Sequence, residues 1–97
     1  MEKNSERTET CRMYRIYGAV QMVGYRFFAV RQAGIYGMRG YVRNLHDGSV
    51  ELVAEGSVEQ LDRFLAEIAV AMDGYIGTQN VQQAEPTGEF NIFKVAF

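Results

Sequence analysis

Apolar and polar residues alternate along this chain with two periods, and the changes of period separate the elements. Alternation with period two predicts strands over 11–20, 38–45, 49–55, 78–84 and 90–97. Apolar residues spaced three and four apart predict helices over 26–36 and 57–72. The predicted order is therefore β-α-β-β-α-β followed by one further strand.

The second predicted helix has the clearest pattern. Ser57 is placed to cap its first turn, and Gln60, three residues later, can complete a capping box. Apolar residues then recur at helical spacing and predict a stripe that faces the core: Leu61, Phe64, Leu65, Ile68 and Met72.

The strands differ in how they are expected to be buried. Asp47-Gly48 between two alternating segments predicts a hairpin turn. In the return strand we expect Val50, Leu52 and Ala54 to face the core, whereas Glu51 and Glu55 should face solvent, as should Glu59 and Glu67 of the next helix. The segment 78–84 has few apolar positions, so we expect an edge or half-exposed strand.

This order of elements fits an α+β, ferredoxin-like split βαβ sandwich, in which two helices cover one face of an antiparallel sheet. Residues 1–10 are polar, mixed in charge and without an apolar period, so a disordered tail is expected there. Residues 11–97 are expected to form one domain.

Composition narrows the classes of function. The chain has 97 residues, 47 % of them hydrophobic, and a net charge of −2, which argues against a dedicated nucleic-acid binder. The single cysteine, Cys11, excludes an intramolecular disulfide and fits a reducing compartment. No apolar run approaches the length of a membrane span, and one histidine with one cysteine does not suggest a metal site. We expect a cytoplasmic monomer that needs no cofactor or metal and binds neither membranes nor nucleic acid.

The segment 18–26 carries the candidate chemistry. An apolar strand ends in a short loop that contains Gly24, and Arg26 then opens a helix. Such a loop points backbone N–H groups and the positive end of a helix dipole at one small volume, which suits a phosphate or another small oxyanion. Arg26 would add a permanent positive charge with several donors. By itself this pattern is equally compatible with a loop that only turns the chain.

A second stretch changes that balance. The first stretch carries Gly18, Val20, Gln21, Val23, Gly24, Tyr25 and Arg26, and the second carries Gly40, Tyr41, Val42, Asn44, Asp47 and Gly48. Together, in this order, they resemble the two motifs of the acylphosphatase family. Ala54-Glu55-Gly56 and the alternating Phe93, Val95 and Phe97 are also similar, so the resemblance covers about residues 12–97.

The resemblance implies the ferredoxin-like fold and hydrolysis of an acyl phosphate to a carboxylate and inorganic phosphate. It implies that Arg26 and Asn44 are the catalytic residues and that Asn44 orients the attacking water. It also implies that the phosphate is bound by the loop residues Gln21, Met22, Val23, Gly24, Tyr25 and Arg26. Asparagine cannot act as a general base near neutral pH, so the phosphate of the substrate would accept the proton of the water. The ring of Tyr25 is expected to pack behind the loop.

Met22 departs from the family pattern, which usually has glycine at this position. Methionine could strain the loop or could line the mouth of the site beside the acyl group. We favour an active enzyme with altered tolerance for the acyl group. The alternative is a catalytically impaired module of the same fold that only binds anions. A ferredoxin-like RNA binder is a poor third, because the acidic balance outweighs the aromatic residues Tyr17 and Tyr41.

Overall fold

The computed structural model describes residues 8–21 and 23–97, which form two helices on a five-stranded sheet. In chain order the elements are β1 (Glu9–Gly18), α1 (Tyr25–Tyr36), β2 (Arg39–Asn44), β3 (Val50–Ser57), α2 (Val58–Ala71), β4 (Ile76–Ala84) and β5 (Phe93–Val95). The order β-α-β-β-α-β with one further strand is confirmed.

The strands lie side by side in the order β4-β1-β3-β2-β5. β1 pairs antiparallel with β3 and with β4, and β3 pairs antiparallel with β2. The ferredoxin-like fold is therefore confirmed, with β4 at an edge as expected. The added strand β5 pairs parallel with β2, so the sheet is mixed rather than purely antiparallel.

Both helices pack on the same face of the sheet, and the core lies between these two layers. Ile16 of β1, Val42 of β2 and Leu52 of β3 are fully buried there. From α2 the buried side chains are those of the predicted stripe, Leu61, Phe64 and Ile68. Ser57 caps this helix as predicted, since its hydroxyl oxygen accepts a hydrogen bond from the backbone N–H of Gln60.

The opposite face of the sheet is partly covered by the connection from β4 to β5, residues 85–92, which crosses it. The backbone N–H of Thr87 donates to Glu55 Oε2 at 2.7 Å, and that of Gly88 donates to Glu55 Oε1 at 3.3 Å. The expectation that Glu55 faces solvent is wrong, because this crossing segment buries it completely. Glu51 is also tied down on this face, where Arg43 and Tyr41 donate to it.

Several strand boundaries differ from the predicted ones, and for β1 and β5 the structure shows the reason. β1 begins at Glu9 rather than at residue 11, because Glu9 pairs with Ser57 at the end of β3. β5 is only Phe93–Val95, because the residues before it cross the sheet face, where Phe90 packs against Tyr41 at a ring-centroid distance of 6.0 Å. Most of the predicted disordered tail, residues 1–7, lies outside the described residues.

Candidate active site

The candidate site is built around the connection from β1 to α1. Val20 is fully buried and anchors this connection in the core. At the other end, Gly24 precedes α1 with φ +79° and ψ 26°, a left-handed backbone conformation that residues other than glycine rarely adopt. The requirement for glycine comes from this backbone angle, because an added Cβ would meet nothing within 4 Å. Gly24 therefore sets the direction in which α1 begins.

The first turn of α1 leaves backbone donors available. The first hydrogen bond of the helix runs from Phe28 N to Gly24 O at 3.0 Å. The N–H groups of Tyr25, Arg26 and Phe27 consequently have no acceptor within the helix. Gly24 offers no side-chain cap, and this first turn contains no acidic residue. An anion at this end would meet both the free N–H groups and the positive end of the helix dipole.

Arg26 adds a charge that no carboxylate neutralises. Elsewhere in residues 8–21 and 23–97 most arginines are paired with carboxylates: Arg12, Arg15, Arg39, Arg43 and Arg63. Arg26 and Arg31, both on α1, make no such pair in the described part of the chain. Arg26 lies at the open helix terminus, whereas Arg31 is exposed further along the helix. Only Arg26 is therefore placed to act on an anion at that terminus.

Gln21 joins the loop to the hairpin between β2 and β3. Its side-chain amide donates to the carbonyl oxygens of Leu45 and Ser49, both at 2.8 Å. The turn itself is closed by Asp47, which accepts from Ser49 N at 2.9 Å. The hydroxyl of Ser49 donates to the same carboxylate, and this hydrogen bond, together with the one from Ser49 N, holds the pKa of Asp47 below its usual range. The side chain of Gln21 is thus used to position the loop beside the end of β2.

Asn44 lies at that end of β2 and has one unusual atom. Its side-chain oxygen Oδ1 is buried and has no hydrogen-bond partner among residues 8–21 and 23–97. Most buried polar atoms in proteins are hydrogen-bonded, and leaving one unpaired is unfavourable by about 1–3 kcal/mol. The neighbouring residue, Leu45, is the one bound by Gln21. The Oδ1 atom of Asn44 is therefore an available acceptor at the end of β2, and Gln21 holds the loop before α1 beside this end.

A cavity of about 480 Å³ opens at the start of α1. It is lined by Gln21, Gly24, Tyr25, Arg26, Phe27, Val95 and Phe97. This lining contains one charged side chain, Arg26, and no side chain with the ordinary pKa of a general acid or base near neutrality. Burial, followed by the neighbouring Tyr14, raises the pKa of Tyr25 far above its ordinary value, so its hydroxyl stays neutral.

The acylphosphatase family model matches residues 12–95. The chain belongs to the acylphosphatase family. It is 40 % identical over 89 residues to the acylphosphatase of Paenarthrobacter aurescens, which covers 90 % of this chain and 95 % of that protein. It is 43 % identical over 75 residues to the acylphosphatase of Thermotoga petrophila, covering 76 % and 83 %. The crystal structure of the acylphosphatase from Bacillus subtilis superposes with a TM-score of 0.81 at 25 % identity, covering 93 % of this chain and all of that one.

These similarities support an acylphosphatase enzyme, and the family motifs can be traced in the structure. Of the predicted phosphate-binding residues, Gln21, Gly24, Tyr25 and Arg26 line one cavity. Val23 does not line it and packs against the core instead. Asn44 is not part of the lining either, but lies next to the hairpin carbonyl that Gln21 binds. Met22, the departure from the family pattern, lies outside the described residues.

Three residues that line the cavity are absent from the predicted site: Phe27, Val95 and Phe97. Phe27 follows Arg26 directly in the first turn of α1 and is 84 % exposed. Phe97 belongs to the alternating pattern of the last strand, which does not indicate that it borders the loop. The only sequence signal available was that Phe27 is adjacent to Arg26.

Two negative findings concern the described residues alone. In residues 8–21 and 23–97, no group of three or more His, Cys, Asp or Glu side chains is arranged to hold a metal ion. Neither helix found in those ranges is long and apolar enough to cross a membrane.

Proposed function

We propose that this acylphosphatase hydrolyses acyl phosphates at the start of α1, with the phosphate held by the 21–26 loop and Arg26 and the water oriented by Asn44. The observation that carries the assignment of the water is the buried, unpaired Oδ1 of Asn44. An amide oxygen is an acceptor, and a water molecule offers O–H donors.

The phosphoryl oxygens of the substrate would be bound by the N–H groups of the first turn of α1. These donors are fixed by the backbone and need no reorganisation as charge develops during the reaction. The guanidinium of Arg26 would contact two of the oxygens through parallel hydrogen bonds. Because no carboxylate of residues 8–21 and 23–97 pairs with Arg26, its charge is available to the substrate.

The reaction itself needs little acid or base from the protein. The water oxygen forms a bond to phosphorus, and the bond from phosphorus to the acyl oxygen breaks. The leaving carboxylate takes the bonding electron pair and is stable without protonation. The water proton passes to a phosphate oxygen, so the products are a carboxylate and protonated inorganic phosphate. Positioning and electrostatic stabilisation supply the catalysis.

The test is hydrolysis of benzoyl phosphate without added metal by the wild type and by Asn44→Ala. Asn80→Ala, at an exposed position on β4, is the matched control. We expect Asn44→Ala to lower kcat by about 10²–10³-fold, the effect of removing one preorganised polar group from an active site. Its affinity for inorganic phosphate, measured by calorimetry, should stay within about twofold of the wild type, and Asn80→Ala should change neither quantity.

Other outcomes would change the proposal in defined ways. A wild type that binds phosphate but does not hydrolyse the substrate would favour the impaired anion-binding module, and Met22→Gly would then be the rescue to attempt. An unchanged kcat in the Asn44→Ala variant would show that Asn44 does not orient the attacking water. A cytoplasmic location and a monomeric state remain predictions, and size-exclusion chromatography with light scattering tests the second.

A further inference from the structure

The cavity at the start of α1 has two chemically different parts. Its anion-binding part consists of Arg26 and the free N–H groups of the first helical turn. The remainder is apolar and includes Phe27, Val95 and Phe97. The phosphoryl group accounts for the first part only, so the apolar part needs an occupant of its own.

The exposure of the two phenylalanines is unusual for this molecule. Among the exposed large apolar side chains of the described residues, the two highest exposed fractions are 100 % at Phe97 and 84 % at Phe27. Both belong to the cavity that contains Arg26. Scattered exposed apolar residues are normal, whereas two exposed phenylalanines that line the same cavity as one charged side chain indicate a surface that a ligand covers.

The fold brings the two rings together from distant parts of the chain. Phe27 lies in the first turn of α1, one residue after Arg26. Phe97 lies two residues beyond Val95, which pairs with Val42, just as Asn44 lies two residues beyond Val42. Phe97 and Asn44 therefore sit at the same end of neighbouring strands, at the end where the phosphate would be attacked.

We propose that Phe27 and Phe97 form an acyl-group subsite that gives the enzyme a preference for acyl phosphates with an aromatic acyl group. This inference rests on the proposed function, because it takes the phosphate to lie on Arg26 and the α1 amides. An aromatic acyl group in contact with phenylalanine side chains gains offset or edge-to-face contacts with them. The volume of about 480 Å³ is within the range of small-ligand sites. An acetyl group offers a single methyl group to the same walls.

The experiment compares kcat/KM for benzoyl phosphate and for acetyl phosphate. The variants are Phe27→Ala, Phe97→Ala and Phe27→Leu, with Ile35→Ala as the control. Ile35 is a 65 % exposed residue of the same helix that does not line the cavity. We expect the wild type to prefer benzoyl phosphate. Each alanine variant should lower the benzoyl-to-acetyl ratio of kcat/KM by about 3- to 10-fold. Phe27→Leu should restore part of the ratio, and Ile35→Ala should leave it unchanged.

A binding measurement separates failure of the subsite from failure of the proposed function. Calorimetry with benzoylphosphonate and with methylphosphonate, which are not substrates, reports the subsite without any turnover. If the protein hydrolyses neither acyl phosphate but binds benzoylphosphonate more tightly in a way that needs Phe27 and Phe97, the proposed function fails and the subsite stands. If both substrates are hydrolysed and the alanine variants leave the ratio unchanged, the subsite is wrong and the proposed function stands.

Discussion

Helix α2 begins at a side-chain cap, whereas helix α1 begins at a glycine that offers none. In α2 the hydroxyl of Ser57 accepts from Gln60 N, and Glu59 complements the positive end of the helix dipole. In α1 the first turn has no cap and no acidic residue, and Arg26 adds a second positive charge to the same end. The start of α2 is capped within the protein, whereas the first N–H groups of α1 have no acceptor within the helix.

The same contrast separates two buried polar side chains. Glu55 is fully buried and accepts hydrogen bonds from Thr87 and Gly88, so it belongs to the structure. The Oδ1 atom of Asn44 is buried without a partner. Satisfied polar groups should therefore govern stability in this protein, and unsatisfied ones should govern activity.

The largest expected effect follows from changing a polar group that has no partner in the described part of the protein. Arg26→Ala should lower kcat/KM for benzoyl phosphate by about 10²–10³-fold, because it removes the charge that we propose stabilises the phosphoryl oxygens. Steady-state kinetics measures this. The free energy of unfolding should change by less than about 0.5 kcal/mol, since Arg26 makes no ion pair within the part of the chain that the structure describes. Arg31→Ala removes the other arginine of α1 and should change neither kcat/KM nor the free energy of unfolding. An equal loss of activity in both variants would mean that the net charge of the protein, and not the position of Arg26, determines activity.

Among the polar groups that are hydrogen-bonded within the protein, Glu55 is buried, and Glu55→Gln should lower the free energy of unfolding by about 2 kcal/mol. The new side-chain amide would face N–H donors where a carboxylate now accepts them. Urea denaturation at pH 7 measures the change, and kcat for benzoyl phosphate should stay within about twofold. A loss of activity larger than the loss of folded protein would show that the 85–92 segment is coupled to the site.

The pH dependence of stability sharpens this prediction. Burial raises the pKa of the Glu55 carboxyl, but the hydrogen bonds from Thr87 and Gly88 lower it by more, so the pKa lies below its ordinary value of 4.5. The ionised carboxylate therefore stabilises the fold above about pH 4.5, and that stabilisation is lost as the pH falls through the depressed pKa. Denaturation curves from pH 7 to pH 3 should show a smaller decline for Glu55→Gln than for the wild type.

Substitutions of two glycines, Gly24 and Gly34, test whether the left-handed backbone conformation before α1 requires glycine. Gly24 and Gly34 both have room for a methyl group, since neither added Cβ would meet an atom within 4 Å. Gly24→Ala should destabilise the fold by about 1–2 kcal/mol because φ there is +79°. Gly34→Ala, inside the helix, should instead stabilise it by about 0.5–1 kcal/mol. Thermal unfolding measures both, and effects of the same sign would contradict the backbone argument.

The smallest expected effect concerns the capped helix. Ser57→Ala should lower the free energy of unfolding by about 1 kcal/mol, because the N–H of Gln60 loses its acceptor. Activity should not change. Asn44→Ala, by contrast, should leave stability unchanged or slightly higher, because it removes a buried unpaired acceptor. Chemical denaturation of both variants checks the comparison, which fails if Asn44→Ala is the more destabilised of the two.

The elements that sequence predicted correctly are those determined by neighbours along the chain. The Ser57 cap, the stripe of α2 and the turn at Asp47-Gly48 all depend on residues within one or two helical turns or one hairpin. The fold class followed from the order of these elements. The loop pattern already indicates Arg26 as an anion-binding residue, and the resemblance implies catalytic roles for Arg26 and Asn44. The structure adds that, within residues 8–21 and 23–97, Arg26 makes no ion pair and Asn44 Oδ1 has no hydrogen-bond partner.

The predictions that failed depend on contacts between distant residues. Glu55 alternates like a solvent-facing residue, but donors 32 and 33 residues later bury it. The last strand is short for the same reason, since the segment that covers Glu55 cannot also pair with β2. Phe27 and Phe97 line the same cavity but are far apart along the chain, and periodicity carries no information about which distant residues share a cavity.

The contrast between the two helix termini can be tested directly by titrating the ¹⁵N-labelled protein with inorganic phosphate and following its backbone amides by NMR. The account predicts saturable shifts concentrated at Gly24, Tyr25 and Arg26, which weaken strongly in Arg26→Ala and persist in Arg31→Ala. The amides of 58–60 at the capped start of α2 should not shift. Shifts of equal size at both termini, or no saturable shift at the start of α1, would contradict it.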